Sequence, residues 1–462
     1  MVKATTAKAI RGDPLQDSGP GQKLDLKKYR ALLDGAYIKK QGRVSQVVGL
    51  TVESTGPDMR IGEYCRIKLS KYADELPAEV VGFRGSNILL MPLGDLGSVK
   101  PGSIVEASDR PLTIRVGEHL LGRVLDGLGR PIDQKGALGG ANNPDQGTEY
   151  RVTNPPPDPL SRARISVPLS LGIKVIDGLL TIGRGQRVGI FAGTGVGKSV
   201  LLGMIARNTS AEIIVIALIG ERGREVREFI EKDLGEDGLK RSVLVVATSD
   251  NAALLRLKAA EAATSIAEFF RSQGKNVLLL MDSLTRYSMA QREVGLAVGE
   301  PPVSKGYTPS VFAVMPKLLE RAGNSDKGSI TGLYTVLVDG DDLTEPVSDT
   351  ARGILDGHIV LSRKIANRNR YPAIDVLASI SRCMTDVIND EHKRLAGEIK
   401  RLMAVYADAE DLINIGAYVK GSNAEIDEAI DRRAAIDGLL LQGVYDKFTF
   451  AETMEIMGNI MK

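Results

Sequence analysis

The stretch Ala192-Gly193-Thr194-Gly195-Val196-Gly197-Lys198-Ser199 carries the most chemistry in the sequence. An apolar run, RVGIFA, leads into it, and a helical pattern, VLLGMIARNT, follows. Strand, glycine-rich loop and helix in that order let backbone N–H groups turn inward around phosphate oxygens. Gly193, Gly195 and Gly197 supply the unusual backbone angles, with Thr194 and Val196 between them. Lys198 is then placed to reach β- and γ-phosphates, and the Ser199 hydroxyl to ligate Mg²⁺. The motif opens on Ala192 instead of Gly, a small change because Ala has only a Cβ.

Binding a nucleotide is not hydrolysing it. Hydrolysis needs a carboxylate near the metal and a group that orients water. Asp282 ends the apolar run NVLLLM and is the expected metal-side carboxylate. Glu221 ends EIIVIALIG, and parallel strands put both acids at the carboxyl edge of one sheet, beside the phosphate loop. Glu221 is the expected general base or water-positioner. Glu225 has two open readings, support for the metal's water shell or a solvated helix residue. Arg222 is expected to pair with phosphates or with Glu221. Arg382 follows IDVLASIS and is expected at the same sheet edge. There it is either a charge-stabilising arginine for a neighbouring subunit or a structural ion-pair residue. Arg286 is a further candidate. Tyr371, in RYPAID, either stacks on a base or belongs to the core. His119, His358 and His392 share no ligand spacing and read as structural.

These residues need a scaffold. Seven apolar runs between 187 and 381 alternate with helical segments, which predicts a mostly parallel α/β core over 166–382. Short alternating strands punctuated by Gly and Pro predict a β-barrel over 35–110. Residues 111–165, with their Asn-Pro-Pro-Pro run, read as a linker. From 383 to 462 the spacing of Leu395, Ile399 and Leu402 is helical, and Ser422-x-x-Glu425 and Thr449-x-x-Glu452 look like capping boxes. Residues 1–34 read as a mobile tail, solvated or partner-binding, with a short helix from Leu24 to Leu33.

Composition narrows the function. At roughly 150 residues per domain, a chain of 462 residues holds about three. Sixty basic against 58 acidic side chains give a net charge of +2, which excludes nucleic-acid binding by bulk positive charge and a polybasic membrane anchor. The 43% apolar content is that of a chain with real cores. Fifty glycines without a collagen period call for tight turns and ligand loops. Two distant cysteines, Cys65 and Cys383, argue against a disulfide framework or a zinc site and for a reducing cytosol. No apolar run approaches the ~20 residues of a membrane span, so any membrane contact is expected to be peripheral.

Taken together the chain resembles the catalytic subunits of rotary ATP synthases and their export relatives. The resemblance rests on LGRVLDGLGRPID, GERGREVREF, DSLTRYSMAQREVGLAVGEPPVSKGYTPSVF, ILDGHIVLSRKIANRNRYPAID and DLINIGAYVKGSN, and covers about 35–440. SMAQREVGLAVGEPP points to the flagellar protein-export branch over the virulence injectisomes. The resemblance implies an α/β fold with a RecA-like P-loop NTPase core, an N-terminal β-barrel and a C-terminal helical domain. It implies Mg²⁺-dependent ATP hydrolysis in a homohexameric ring with nucleotide at subunit interfaces. Lys198 and Ser199 become the P-loop pair, Glu221 the catalytic acid, Asp282 the metal-side carboxylate and Arg382 the interface arginine finger. Tyr371 and, more weakly, Tyr418 become adenine neighbours. Implied partners are a stator-like regulatory protein on the tail, a central stalk protein, the export gate at the inner membrane, export chaperones and their substrates. Two rivals stand beside this reading. A non-catalytic ring subunit would lack the acid at Glu221, and a ring RNA helicase would want a basic, aromatic-rich barrel.

Overall fold

The computed structural model describes residues 39–69, 74–139, 147–338 and 342–462. The expected tail and its helix lie outside these residues. The chain divides into two compact units, with the boundary after Pro111.

The first unit is a closed antiparallel barrel. Its strands are β1 (Gln41–Val48), β2 (Thr51–Thr55), β3 (Glu63–Lys68), β4 (Glu75–Arg84), β5 (Asn87–Pro92) and β6 (Ile104–Pro111), in the order β1-β2-β5-β4-β3-β6. Alternation decides what faces inward. Cys65 and Ile67, Ala78 and Val80, and Ile88 and Leu90 fill the interior together with Val44, Val52 and Val105. Burial, aided by the nearby Glu63 and Glu79, pushes the Cys65 thiol up to about 12, so this cysteine is an inert core residue.

The second unit is built on a large, mostly parallel sheet. Its main strands are β7 (Val124–Asp126), β8 (Arg187–Ala192), β9 (Ile213–Ile219), β10 (Ser242–Ala247), β11 (Asn276–Asp282), β12 (Ser329–Leu337), β13 (Gly357–Leu361) and β14 (Ile374–Ser381). They lie in the order β14-β13-β8-β12-β11-β9-β10-β7. All pairings along this path are parallel except β13 with β14, which is antiparallel. The central strands are buried on both faces, as their unbroken apolar sequence demands. Helix α1 (Lys198–Asn208) follows the phosphate loop, and α2 (Ala253–Ser272) and α3 (Leu284–Val298) are further core helices.

The stretch expected as a linker does more than connect. Val124–Asp126 forms the edge strand β7 beside β10, and Thr113–Val116 pairs with Thr148–Arg151. Asp133 anchors this edge. It accepts hydrogen bonds from Arg123 Nε (2.7 Å) and Nη2 (2.9 Å) and from the N–H groups of Val124 and Lys135 (3.1 Å each). Burial raises the Asp133 pKa, but Arg123 and the two N–H groups outweigh it and hold the carboxyl at about 2. A folded-state pKa below the unfolded value contributes stability that is present above ~4 and lost as pH falls toward 2. Asp133→Ala is therefore expected to cost about 3 kcal/mol at pH 7, with the gap to wild type closing in acid. Denaturant titrations at pH 7 and pH 3 measure both.

Three C-terminal helices, α4 (Asp390–Asn414), α5 (Ala424–Leu440) and α6 (Phe450–Ile460), share one apolar core with the sheet through Leu395, Ile399, Leu402, Ile436 and Met457. Thr449 and Glu452 form the expected reciprocal capping box on α6. The cap of α5 is Asn423, one residue after the expected Ser422. Asn423 accepts from the N–H groups of Glu425 and Ile426, while Ser422 Oγ donates backward to Val419 O (2.6 Å).

Candidate active site

The phosphate loop occupies residues 193–197, between β8 and α1. Gly195 and Gly197 have φ of 77° and 89°, in the left-handed region where a side chain is strained. Gly197 caps α1 with no side-chain hydrogen bond, so the helix opens with its first N–H groups aimed at whatever the loop encloses.

Lys198 sits between two acids. Its Nζ lies 2.5 Å from Asp282 Oδ1 and 3.5 Å from Glu221 Oε1. Parallel strands explain the meeting, because β8, β9 and β11 all end at the same edge of the sheet. Thr335, on β12, donates to the same oxygen, Asp282 Oδ1 (2.7 Å), and helps to fix that carboxylate. Burial works against the Lys198 charge, but Asp282 and Glu221 overcome it and the net shift is upward. Glu221 is pushed up to about 7, first by burial, then by the charge of Asp282 and by a hydrogen bond to Glu225. Glu225 is lowered, mainly because it accepts that bond. A buried carboxyl titrating near neutrality is suited to exchanging protons with an attacking water.

The remaining expected residues divide. Ser199 is exposed on the first turn of α1, and with Asp282 and Glu225 it offers the hard oxygen donors that Mg²⁺ takes. This set is incomplete without phosphate oxygens. Among the described residues no three His, Cys, Asp or Glu side chains converge as a metal site of their own. Tyr371 lies against the loop, its ring 3.4 Å from where a Cβ on Gly197 would stand. Arg222 pairs with Glu225 (3.2 Å), not with Glu221, the second of its two expected partners after the phosphates. It is exposed at the start of the helix that carries Glu225, within reach of a partner three residues on. Tyr418 bonds elsewhere. Its hydroxyl lies 2.9 Å from both Asn423 O and Asp427 Oδ1, which closes the turn between α4 and α5.

Arg382 corrects an expectation. Because β14 runs antiparallel, Tyr371 precedes it at the phosphate-loop edge and Arg382 follows it at the opposite edge. The Arg382 N–H donates to Asp356 O (3.0 Å) and its guanidinium to Arg352 O (3.3 Å). At ~3.3 Å per residue, β13 separates Arg382 from its own loop by about 15 Å. Arg286, in contrast, packs its side chain on Gly220, next to Glu221. Its buried Nε has no hydrogen-bond partner.

Thr335 was not anticipated from the sequence. Its signal was a hydroxyl in a strand buried along nearly its whole length, where it needs a polar partner, and that partner is the carboxylate.

Known proteins are similar to this chain over most of its length. The nucleotide-binding domain of the ATP synthase alpha/beta family matches residues 172–381, that family's beta-barrel domain matches 44–109, and the T3SS EscN ATPase C-terminal domain matches 388–459. A flagellum-specific ATP synthase of Bacillus subtilis (strain 168) is 52% identical over 91% of this chain and 95% of its own. A type 3 secretion system ATPase of Xanthomonas euvesicatoria is 48% identical over 93% of this chain and 96% of its own. The assembled ATPase EscN in complex with its central stalk EscO, from the enteropathogenic E. coli type III secretion system, superposes with a TM-score of 0.84 at 46% identity, covering 91% of this chain and 100% of that one. The chain is an ATP hydrolase and belongs to the ATP synthase alpha/beta family, in the branch of the flagellum-specific ATP synthases and type 3 secretion system ATPases.

Proposed function

We propose that this protein is the Mg²⁺-dependent ATP hydrolase of a bacterial flagellar type III export apparatus, coupling hydrolysis to the unloading and export of flagellar proteins. The observation that carries the chemistry is Lys198 held between Asp282 and Glu221 at the end of a phosphate loop. ATP binding transfers Lys198 from the two carboxylates to the β- and γ-phosphates, which the N–H groups of 193–197 cradle. Mg²⁺, when bound with the nucleotide, neutralises phosphate charge, and Ser199, Asp282 and Glu225 are the residues to hold it or its waters. Glu221, freed of Lys198, orients the attacking water. Tyr371 flanks the base. Arg382 reaches the γ-phosphate of a neighbouring subunit in a homohexamer.

Around this ring we place a central stalk protein, as EscO is for EscN, and a stator-like protein on the N-terminal tail. Export chaperones, substrates and the gate complete the partners. Among the described residues no helix is long and apolar enough to cross a membrane, which suits a cytoplasmic protein touching the inner membrane only through that gate. The flagellar branch is favoured over the injectisome by SMAQREVGLAVGEPP.

Deleting the gene in its host is expected to remove filament proteins from the medium and abolish swimming. Wild type restores both, and Lys198→Ala does not. Unchanged flagellin secretion with loss of an injectisome cargo would move the protein to the other branch. RNA-stimulated hydrolysis would revive the helicase.

A further inference from the structure

The turn after α5 reaches the nucleotide side of the core from an unexpected direction. Gln442 is 6% exposed, and its polar groups are committed. Its Oε1 accepts from Lys174 N–H (2.9 Å), and its Nε2 donates to Gly172 O (2.9 Å) and Asp446 O (3.2 Å). Its backbone N–H donates to Tyr371 O (3.0 Å). One residue before Tyr371, Arg370 pairs with Asp437 near the end of α5 (3.4 Å). The same turn grips the far end of the phosphate-loop helix. Arg207 donates to Val444 O (2.6 Å) and Asn208 to Asp446 O (3.0 Å), and these are the last two residues of α1.

Tyr371 and α1 are thus referenced to one bracket. Gln442 sets where Tyr371 stands, and the residues just beyond it set where α1 stands. Removing the Gln442 side chain leaves the buried Lys174 N–H and Gly172 O unpaired, and the turn must shift to satisfy them.

We propose that Gln442 is a positioning residue for the nucleotide base, fixing the gap between Tyr371 and the phosphate loop. This rests on the reading of Tyr371 as a base neighbour. It predicts an effect on nucleotides and none on ligands that lack a base. Chemistry at the γ-phosphate lies at Lys198 and Glu221, which Gln442 does not touch.

The test compares ATP with inorganic tripolyphosphate on the full-length protein. Gln442→Ala is expected to raise KM for ATP about five- to tenfold with kcat within about twofold, the signature of lost binding that is uniform between ground and transition state. The inhibition constant of tripolyphosphate stays at the wild-type value. Adding Tyr371→Ala to Gln442→Ala gives less than the product of the two single effects, because both act through one contact. Equal weakening of both ligands, a fall in kcat alone, or an unchanged KM overturns the proposal. Should Gln442→Ala fail to fold, Arg370→Gln loosens the same loop from its other tether and is expected to give the same split. If Tyr371→Ala raises KM and the tether variants do not, only the role of Gln442 falls. If Tyr371→Ala leaves KM unchanged, the base reading falls and this proposal with it.

Discussion

Glu221→Gln is expected to lower ATP turnover about 10³-fold while the protein still binds ATP, the range found when a positioned proton-transfer group is removed. The amide keeps the size of the carboxyl and one acceptor oxygen. It cannot take a proton from the attacking water. Lys198 and the loop amides, which on the proposed reading hold the phosphates, are untouched. ATP affinity is therefore expected to hold or improve, since one negative charge near the phosphates is gone. Binding by calorimetry and hydrolysis by phosphate release separate the two. Turnover near the wild-type rate would remove Glu221 from the mechanism.

The same substitution has a signature without nucleotide. Burial and the charge of Asp282 hold the Glu221 carboxyl up at about 7, above its unfolded value of ~4.3. A carboxyl raised on folding contributes stability that is fully present below the unfolded value and lost as pH rises through the folded one. Wild type is therefore expected to weaken between pH 5 and pH 8 by more than Glu221→Gln, which has no proton to lose there. Thermal midpoints of the nucleotide-free proteins should converge at pH 5 and separate at pH 8, with the variant higher. The cause is local. Two carboxylates share a single lysine, and at high pH the lysine neutralises only one of them.

Much of this site was legible in the sequence because β-strands buried on both faces write themselves as unbroken apolar runs. β8, β9 and β11 could be read that way, and so could the residues at their ends, Lys198, Glu221 and Asp282. Strand direction is not written in such runs. β13 and β14 look alike in composition, yet only 12 positions, 362–373, join them, including the short helix Arg363–Asn367 and Pro372. A parallel crossover needs a dozen or more residues, usually with a helix long enough to cover the sheet. The available sign that β14 turns back was the helix: Arg363–Asn367, at ~1.5 Å per residue, spans less than half the length of β13 and cannot carry the chain back across the sheet. β7 escaped notice for another reason. Three residues among glycines give no period, and what makes them a strand is Asp133, which reaches them from beyond the turn. The cap at Asn423 is a choice between two adjacent polar residues, Ser422 and Asn423, that both suit a helix start, and the role of Thr335 depends on Asp282, a residue of another strand.

The reversed strand gives the second large effect its logic. With Arg382 at the far edge of its own sheet, a γ-phosphate held by Lys198 is out of its reach within one chain. Arg382→Ala should leave the fold alone, because the guanidinium is exposed and makes one long bond, to Arg352 O (3.3 Å). A loss of turnover of about 10³-fold, the scale of an arginine finger, would thus have to come from another subunit. β14 is suited to present it. It is the outer strand of the sheet, and Leu377 and Ile380 on it are each 47% exposed, apolar surface of the kind a subunit contact buries. Mixing separates a shared site from a self-contained one. Arg382→Ala and Glu221→Gln are each expected to be inactive alone. In mixed rings an Arg382→Ala subunit keeps its own Glu221 and can borrow Arg382 from a Glu221→Gln neighbour. At a 1:1 ratio with random assembly, half the sites carry Glu221 and half of those face an intact arginine. About a quarter of wild-type turnover should return, and less if the ring needs several competent sites at once. In a site complete within one chain, every subunit in the mixture is defective and no activity returns. Recovery on mixing would place the arginine in trans, and an inactive mixture of subunits shown to exchange would leave Arg382 a structural residue of the sheet's lower edge.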